Sequence, residues 1–105
     1  MARFDVYPNP GAHADTTPYL LDVQSDLLNG LDSRMVIPLR RLQHFPPVKL
    51  PSRLTPVLTI QGEEFLLETP KMGAVPRRAL KSPKMNLAQA QVEITGAVDF
   101  LFQGY

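Results

Sequence analysis

The feature that most constrains the fold is a pair of β-type segments separated by a short polar stretch. Residues 22–26 read Asp-Val-Gln-Ser-Asp, and residues 35–39 read Met-Val-Ile-Pro-Leu. The stretch between them contains Asn29-Gly30, a dipeptide that readily takes positive φ and favours a hairpin turn. The sequence therefore predicts two antiparallel strands joined by a hairpin. Pro38 has no N–H to give to a ladder, so we expect it at a sheet edge or a bulge.

Short β-type segments recur along most of the chain. The expected strands cover residues 3–7, 19–24, 35–40, 56–60, 65–69 and 72–76. The fourth and fifth form a hairpin around residues 61–64, and residues 77–80 could continue the last strand after a break. Residues 43–56 contain four prolines and predict an irregular segment. The eleven prolines of the chain lie mostly at these strand ends and loops, which favours a β-rich fold with many turns.

The last twenty residues change to a helical period. One face of the expected helix carries Leu87, Ile94, Val98 and Leu101. We expect Asn86 as the N-cap with Gln89 at the N3 position, and Gly104 as the C-terminal cap. The predicted fold is therefore mainly β, a small barrel-like domain of antiparallel strands completed by one C-terminal α-helix.

Two surface features of the sequence leave alternatives open. The helix face opposite the core stripe carries Val92, Gly96, Phe100 and Gln103. This face is either a solvated surface with one exposed aromatic residue or a contact surface where Gly96 allows a partner subunit to approach closely. Residues 71–84 hold five basic side chains and no acidic one. They form either a solvated surface, the commoner case, or an anion-facing patch for an acidic protein tail or a nucleic-acid backbone.

The composition narrows the function classes. At 105 residues the chain has the size of one domain, which we place over residues 1–105. A net charge of +1 argues against a protein whose affinity comes mainly from neutralising many phosphates. The absence of cysteine excludes a disulfide framework and a cysteine-rich zinc site. No apolar stretch approaches the roughly 20 residues that span a bilayer, so we expect a cytoplasmic protein without a membrane partner.

The usual catalytic patterns are weak in this sequence. His13 and His44 lack acidic residues at metal-ligand spacing, so we expect no metal site. On a regular strand Asp22 and Asp26 would share a face, but with no cation nearby they are better explained as hydrogen-bonding groups of the hairpin. Leu27 and Leu28 are adjacent apolar residues at a strand end. At least one of them is a candidate for outward contact.

Several segments of the chain resemble the CcdB family of plasmid and chromosomal toxins that poison DNA gyrase. The similar segments are residues 4–7, 22–26, 34–39, 56–60, 72–76 and 97–105. The resemblance implies an SH3-like barrel with a C-terminal helix, and a homodimer that acts as a wedge rather than as an enzyme. It also implies binding to the A subunit of DNA gyrase, neutralisation by a CcdA-like antitoxin, contact with operator DNA only through that antitoxin, and no cofactor.

The family's gyrase contacts lie at the end of the helix and on a neighbouring apolar pair. Carried onto this sequence, the expected gyrase-binding residues are Leu27, Leu28, Asp99, Phe102, Gln103, Gly104 and Tyr105. The best-known family pattern ends in Trp-Gly-Ile, whereas this chain ends in Gln-Gly-Tyr. A tryptophan can stack on a cation, with a cation–π interaction worth ~0.5–2 kcal/mol, and Gln103 cannot.

Two alternative functions follow from the same resemblance. Toxins of related fold include messenger-RNA endoribonucleases, for which Arg34 or Arg77 could act with His13 or Asp22, although no spacing supports this arrangement. A toxin relic that binds an antitoxin and no longer poisons gyrase is the other alternative, because the family tryptophan is replaced.

Overall fold

The computed structural model describes residues 1–44 and 51–104. In these residues the strands are β1 (Asp5–Pro8), β2 (Tyr19–Asp22), β3 (Ser33–Arg41), β4 (Val57–Ile60), β5 (Glu63–Leu67), β6 (Gly73–Pro76) and β7 (Met85–Asn86), and they are followed by helix α1 (Gln91–Gln103). The predicted class, mainly β with one C-terminal helix, is confirmed. Strand β7 was absent from the prediction. Part of the irregular segment expected over residues 43–56 lies outside the described residues.

All pairings in the sheet are antiparallel, and the strands follow the order β4-β5-β3-β2-β1-β7. Strand β6 lies off this path and pairs with β3. Strand β3 is therefore the centre of the fold. Along one edge it pairs with β2, and along the other it pairs first with β6 and then with β5.

The expectation that Pro38 lies at an edge or a bulge is wrong. Pro38 sits inside central strand β3, opposite Leu20 of β2. Its carbonyl accepts a hydrogen bond from Glu68 N (2.9 Å), so the main-chain groups of Pro38 face the β5–β6 side. On that side, the pairing of β3 with β6 ends at Val36, and its pairing with β5 starts at Leu39. The missing N–H therefore falls where the partner strand changes and no ladder bond is lost.

The main core lies between the curled sheet and α1. It is formed by the inward side chains of the strands, which alternate along each strand as the half-buried pattern predicts. Its buried members are Phe4, Val6, Leu21, Val23, Ile37, Leu39, Leu58, Ile60, Phe65, Leu67, Leu87, Ile94 and Ala97. The helix contributes Ile94 and Ala97, with Val98 packed at the border. A second cluster on the other side of the sheet contains Tyr7, Leu20, Val36 and Leu80.

The two predicted hairpins have different outcomes. Strands β4 and β5 form the expected hairpin through a two-residue turn in which Gln61 (φ 52°) and Gly62 (φ 82°) are left-handed. Strands β2 and β3 also form the expected antiparallel pair. Only the predicted turn is wrong, since Asn29 is right-handed, at φ −63°, and Gly30 does not have positive φ. Residues 23–32 connect β2 to β3 with a short 3₁₀ helix, Asp26–Leu28, so no tight turn is required there.

The start of the helix also differs from the prediction. Helix α1 begins at Gln91, and its N-cap position is Ala90, which has no side-chain cap. Asn86 instead belongs to β7, and its side-chain oxygen accepts from Ala88 N (2.8 Å), just before the 3₁₀ helix Ala88–Ala90. Gln89 is therefore not at N3. Gly104 caps the other end as predicted, with φ 78° and its N–H donated to Phe100 O (2.8 Å).

Residues 77–80 do not continue β6, because a 3₁₀ helix, Arg77–Ala79, follows it directly. None of the helices within residues 1–44 and 51–104 combines the length and the apolar character needed to cross a membrane.

Candidate interaction surface

A buried ion pair fixes the connection between β2 and β3. Asp22 at the end of β2 and Arg34 at the start of β3 are both fully buried. Arg34 Nε donates to Asp22 Oδ2 at 2.7 Å, and Nη2 lies 2.7 Å from the same oxygen without an aligned hydrogen bond of its own. The other carboxylate oxygen accepts from Gln24 N (2.9 Å). Two opposite charges removed from water in this way strongly constrain the surrounding chain, because neither can lose its partner cheaply.

Burial and hydrogen bonding have opposite effects on the pKa of the Asp22 carboxyl group. Burial raises its pKa above the ordinary value, and the hydrogen bonds from Gln24 N and Arg34 act against this rise. The expectation that Asp22 and Asp26 share a strand face with no cation nearby is wrong, since Arg34 is the cation. Asp26 lies beyond the strand, where its Oδ1 accepts from Arg3 N (2.7 Å). Both carboxylates do serve as hydrogen-bonding groups of this connection, as expected.

Two side chains extend the buried network into the loop over residues 23–32. Asn29 Oδ1 accepts from Arg34 Nη1 (2.7 Å), which ties the far side of the loop to the ion pair. Gln24 bridges the loop, because its amide nitrogen donates to Leu28 O (3.2 Å) and Ser33 O (3.1 Å). From outside, Arg77 Nη1 donates to Asn29 O (2.6 Å). The loop is thus held from both sides.

The loop presents two apolar side chains to solvent. Leu27 and Leu28 lie on the 3₁₀ helix Asp26–Leu28, where Ser25 Oγ accepts from Leu27 N (3.2 Å) and caps the turn. The side chain of Leu27 is 94% exposed and that of Leu28 is 47% exposed. The prediction that at least one of the pair points outward is confirmed, although the residues lie on a 3₁₀ helix and not at a strand end.

The last turn of α1 forms a second exposed group. Asp99, Phe102, Gln103 and Gly104 are all exposed, and Phe102 is 71% exposed. Tyr105 lies outside the described residues. On the outer face of the helix, Phe100 is only partly exposed, and the guanidinium of Arg53 lies 5.4 Å from its ring centroid. Phe100 is therefore not an isolated exposed aromatic residue, whereas Val92 on the same face is 82% exposed.

The comparison with known families decides the assignment. The CcdB family model, described as CcdB protein, matches residues 3–104. The chain belongs to the CcdB family. The match covers nearly all of the sequence, so the family assignment includes the sheet, the loop after β2 and the C-terminal helix together.

Family membership makes this chain a toxin of the toxin–antitoxin type. The two exposed groups contain the residues that the sequence analysis predicts as contacts. The expected contact residues of a CcdB protein are contributed by two elements, the 3₁₀ helix after β2 and the end of α1. The structure groups Leu27 with Leu28, and Phe102 with its neighbours on the last helical turn. Their role in binding stays a prediction.

Sequence reasoning missed the network that supports the loop. Asp22, Gln24, Asn29 and Arg34 are polar residues within or beside strongly β-type sequence, and three of them are buried. A polar residue on the inward phase of a strand was the available signal, because a buried charge in a small domain nearly always has a partner. The pairing of residues twelve positions apart could not be read without the register of β2 and β3.

Two of the four residues named for an endoribonuclease, Arg34 and Asp22, are buried against each other. Arg34 is bound to Asp22 in the interior, so neither side chain can reach a substrate. His13 instead lines an open cavity of about 400 Å³ together with Arg40, Glu68 and Lys71. Within the described ranges, no group of three or more His, Cys, Asp or Glu side chains is arranged to hold a metal ion.

Proposed function

We propose that this CcdB-family protein is a toxin that binds the A subunit of DNA gyrase and traps the complex in which gyrase has cleaved DNA. It acts as a homodimer in the cytoplasm and is neutralised by a CcdA-like antitoxin, through which alone it contacts operator DNA. It acts by binding and not as an enzyme. The proposed contact residues are Leu27, Leu28, Asp99, Phe102, Gln103, Gly104 and Tyr105.

The observation that carries the proposal is the exposure of large apolar side chains on well-held backbone. Leu27 and Phe102 are among the most exposed apolar residues of the described chain, yet one lies on a loop tied to a buried ion pair and the other on a capped helix. Burying a leucine or phenylalanine side chain fully contributes about 1.5–3 kcal/mol. Two such anchors in each protomer would lie at the centre of an interface whose remaining area comes from their neighbours.

Gln103 sets the expected strength of binding. It is exposed on the last turn of α1, where a hydrogen bond to a partner is available but stacking is not. Relative to a family member with tryptophan there, each protomer loses a cation–π contact of ~0.5–2 kcal/mol. We expect gyrase binding to persist through the leucine and phenylalanine anchors, at reduced affinity.

The test is a gyrase reaction on supercoiled plasmid with ATP, scored for linear DNA after detergent and protease. We expect linear DNA that depends on both gyrase and the toxin. Leu27→Ala and Phe102→Ala should each lower its yield strongly. The matched controls are Val57→Ala on β4 and Val92→Ala on α1, which remove exposed apolar side chains outside the proposed surface. Equal loss in the controls, or no linear DNA from the wild type, would refute the proposal, and cleaved RNA in a parallel digestion would favour the endoribonuclease alternative.

The C-terminal residues give a second test. Deleting residues 103–105 should abolish growth inhibition while circular dichroism and gel filtration show an intact fold and dimer. Gln103→Trp should tighten binding to the gyrase target by about an order of magnitude or more, because it restores a stacking group in each protomer. A folded truncated dimer that inhibits growth fully, or a tryptophan variant of unchanged affinity, would show that this protein docks differently.

A further inference from the structure

The segment after β6 carries a line of positive charge on a well-held backbone. Four basic side chains, Arg77, Arg78, Lys81 and Lys84, are exposed along it, and we call them the basic ridge. Its backbone is fixed by the 3₁₀ helix Arg77–Ala79, by Arg77 N donating to Asp32 O (2.7 Å) and by Lys84 N donating to Val6 O (2.7 Å). Leu80 between them is buried in the second apolar cluster. The four basic residues of the ridge therefore lie on a backbone that is fixed by hydrogen bonds and by the buried side chain of Leu80.

The ridge is not neutralised from within the chain. No aspartate or glutamate occurs from residue 69 to residue 92. Among the described residues, Arg78, Lys81 and Lys84 form no ion pair, and the ion pairs of Arg41 and Lys71 involve glutamates of other segments. The net charge of the whole chain is only +1, so positive charge is concentrated on this segment and the acidic residues lie elsewhere. Such segregation attracts an anionic partner over a distance of about a Debye length.

The surroundings of the ridge indicate what kind of anion fits. A surface pocket of about 270 Å³ opens beside it, and its lining is Met1, Asp5, Tyr7, Arg77, Leu80, Lys81 and Pro83. The carboxylate of Asp5 already accepts hydrogen bonds from Ala2 N (3.0 Å) and Asn86 Nδ2 (2.9 Å). On its other side, Arg77 is hydrogen-bonded to the loop that carries half-exposed Leu31. Exposed cations next to a pocket with the apolar walls Met1, Leu80 and Pro83 match a protein segment that has both carboxylates and apolar side chains. A nucleic-acid backbone would use the cations but would leave the pocket and the leucine without a partner.

We propose that the basic ridge is a docking site for an acidic protein segment that places an apolar side chain in the adjoining pocket. The segment's carboxylates lie over Arg78, Lys81 and Lys84. Where that segment belongs to the antitoxin of the proposed function, this inference names a surface for it and rests on that function in this respect. The ridge adjoins the loop that carries Leu27 and Leu28, because Arg77 Nη1 donates to Asn29 O (2.6 Å).

The test is fluorescence anisotropy with defined probes. The first probe is a labelled short peptide of alternating glutamate and leucine or alanine, and the second is the same peptide with serine in place of leucine. A short DNA duplex is the third. We expect the leucine peptide to bind more tightly than the serine peptide and the duplex, and its affinity to fall as salt is raised above about 150 mM.

A matched pair of variants locates the binding. Arg78→Gln/Lys81→Gln should lower the affinity for the leucine peptide about fivefold or more. Arg53→Gln/Lys71→Gln removes the same charge from other exposed basic residues and should change the affinity by less than about twofold. Equal loss in both variants, equal binding of both peptides, tighter binding of the duplex or no binding at all would each overturn the inference. No gyrase is present in this assay, so its failure is distinguishable from failure of gyrase poisoning.

Discussion

Replacing Arg34 with methionine tests whether the buried ion pair holds the loop that presents Leu27. The substitution keeps the apolar stem of the side chain but removes the contacts to Asp22 and Asn29, each 2.7 Å long. Asp22 stays fully buried and retains only the hydrogen bond from Gln24 N. Breaking a buried pair by removing one partner costs about 3–5 kcal/mol. A domain of this size has about 5–15 kcal/mol of stability in total, so the loss is a large fraction.

The assay is urea unfolding followed by circular dichroism at pH 7, with a thermal scan beside it. A loss of this size lowers Tm by about 15 °C or more. The control is Arg41→Met, which breaks the pair of Arg41 with Glu63 on the surface, where both side chains are partly exposed. We expect a much smaller loss there, because water replaces the lost contact. The double variant Asp22→Leu/Arg34→Met should be more stable than Arg34→Met alone, because it leaves no unpaired charge.

The pH dependence of the Arg34→Met variant gives the same reasoning a second check. Burial raises the folded-state pKa of Asp22 above its ordinary value of 3.8, so the folded protein takes up this proton before the unfolded chain does. The cost of the buried charge is therefore relieved as the pH falls through the folded pKa. Without Arg34 the pKa of Asp22 rises further, and the gap in stability between variant and wild type should narrow as the pH falls towards 4. Equal losses for Arg34→Met and Arg41→Met, or a gap that does not change with pH, would refute the argument.

The remaining predictions concern Tyr7, the two glycine turns and the core face of α1. Burial, followed by the charges of Asp5 and Asp22, raises the pKa of Tyr7 from 10.0 to about 12. Stability should therefore fall by roughly 2–3 kcal/mol as the pH rises from 10 to 12, a fall that pH-dependent urea unfolding should find reduced in Tyr7→Phe. Gly62→Ala should lower the free energy of unfolding by about 1 kcal/mol or more in the same assay, because φ is 82° at Gly62. Gly30→Ala should leave that free energy unchanged or raise it, because the φ of Gly30 is not positive. The reverse order would contradict the turn assignment. Ile94→Ala should cost about 2–5 kcal/mol, since Ile94 is fully buried in the main core, and a smaller change in unfolding free energy would mean that the core closes around the gap.

The strands and the helix could be predicted because their residues repeat with the period of the element. The alternation over residues 3–7 predicts a half-buried strand, and Phe4 and Val6 of this segment are buried. The helix start was misplaced because Asn86 has the residue type of an N-cap but is engaged by its neighbours. Its side-chain nitrogen donates to Arg3 O and to Asp5 Oδ1 (2.9 Å each), contacts that depend on tertiary structure.

Backbone strain and buried charge were beyond the reach of the sequence. Phe4 has φ 73°, which a large side chain rarely adopts, and it is held there by hydrogen bonds with Asp22 and Leu87 from two distant segments. Asn29-Gly30 carried the stronger turn signal, yet Gln61-Gly62 takes the left-handed conformation. The length of the connection decides this, since two residues between paired strands require positive φ and ten residues do not.

The exposure of the candidate surface was easier to predict than the buried ion pair that holds its loop. Leu27 is exposed as one of the pair was expected to be, although the adjacent leucines Leu20 and Leu21 of β2 are both buried, one on each face of the sheet. The support of that loop depends on Arg34, whose residue type gave no indication of complete burial.

The position of β3 determines which parts of this protein open first. Strand β3 is bonded to β2 on one side and to both β5 and β6 on the other, so it can separate only when the whole sheet does. Strands β4 and β7 lie at the two ends of the sheet order and can fray without disturbing it. Arg34 belongs to β3, and the loop with Leu27 is therefore anchored in the most protected strand. We therefore expect Leu27 to stay presented when β4 or β7 frays, since neither of these end strands holds the loop.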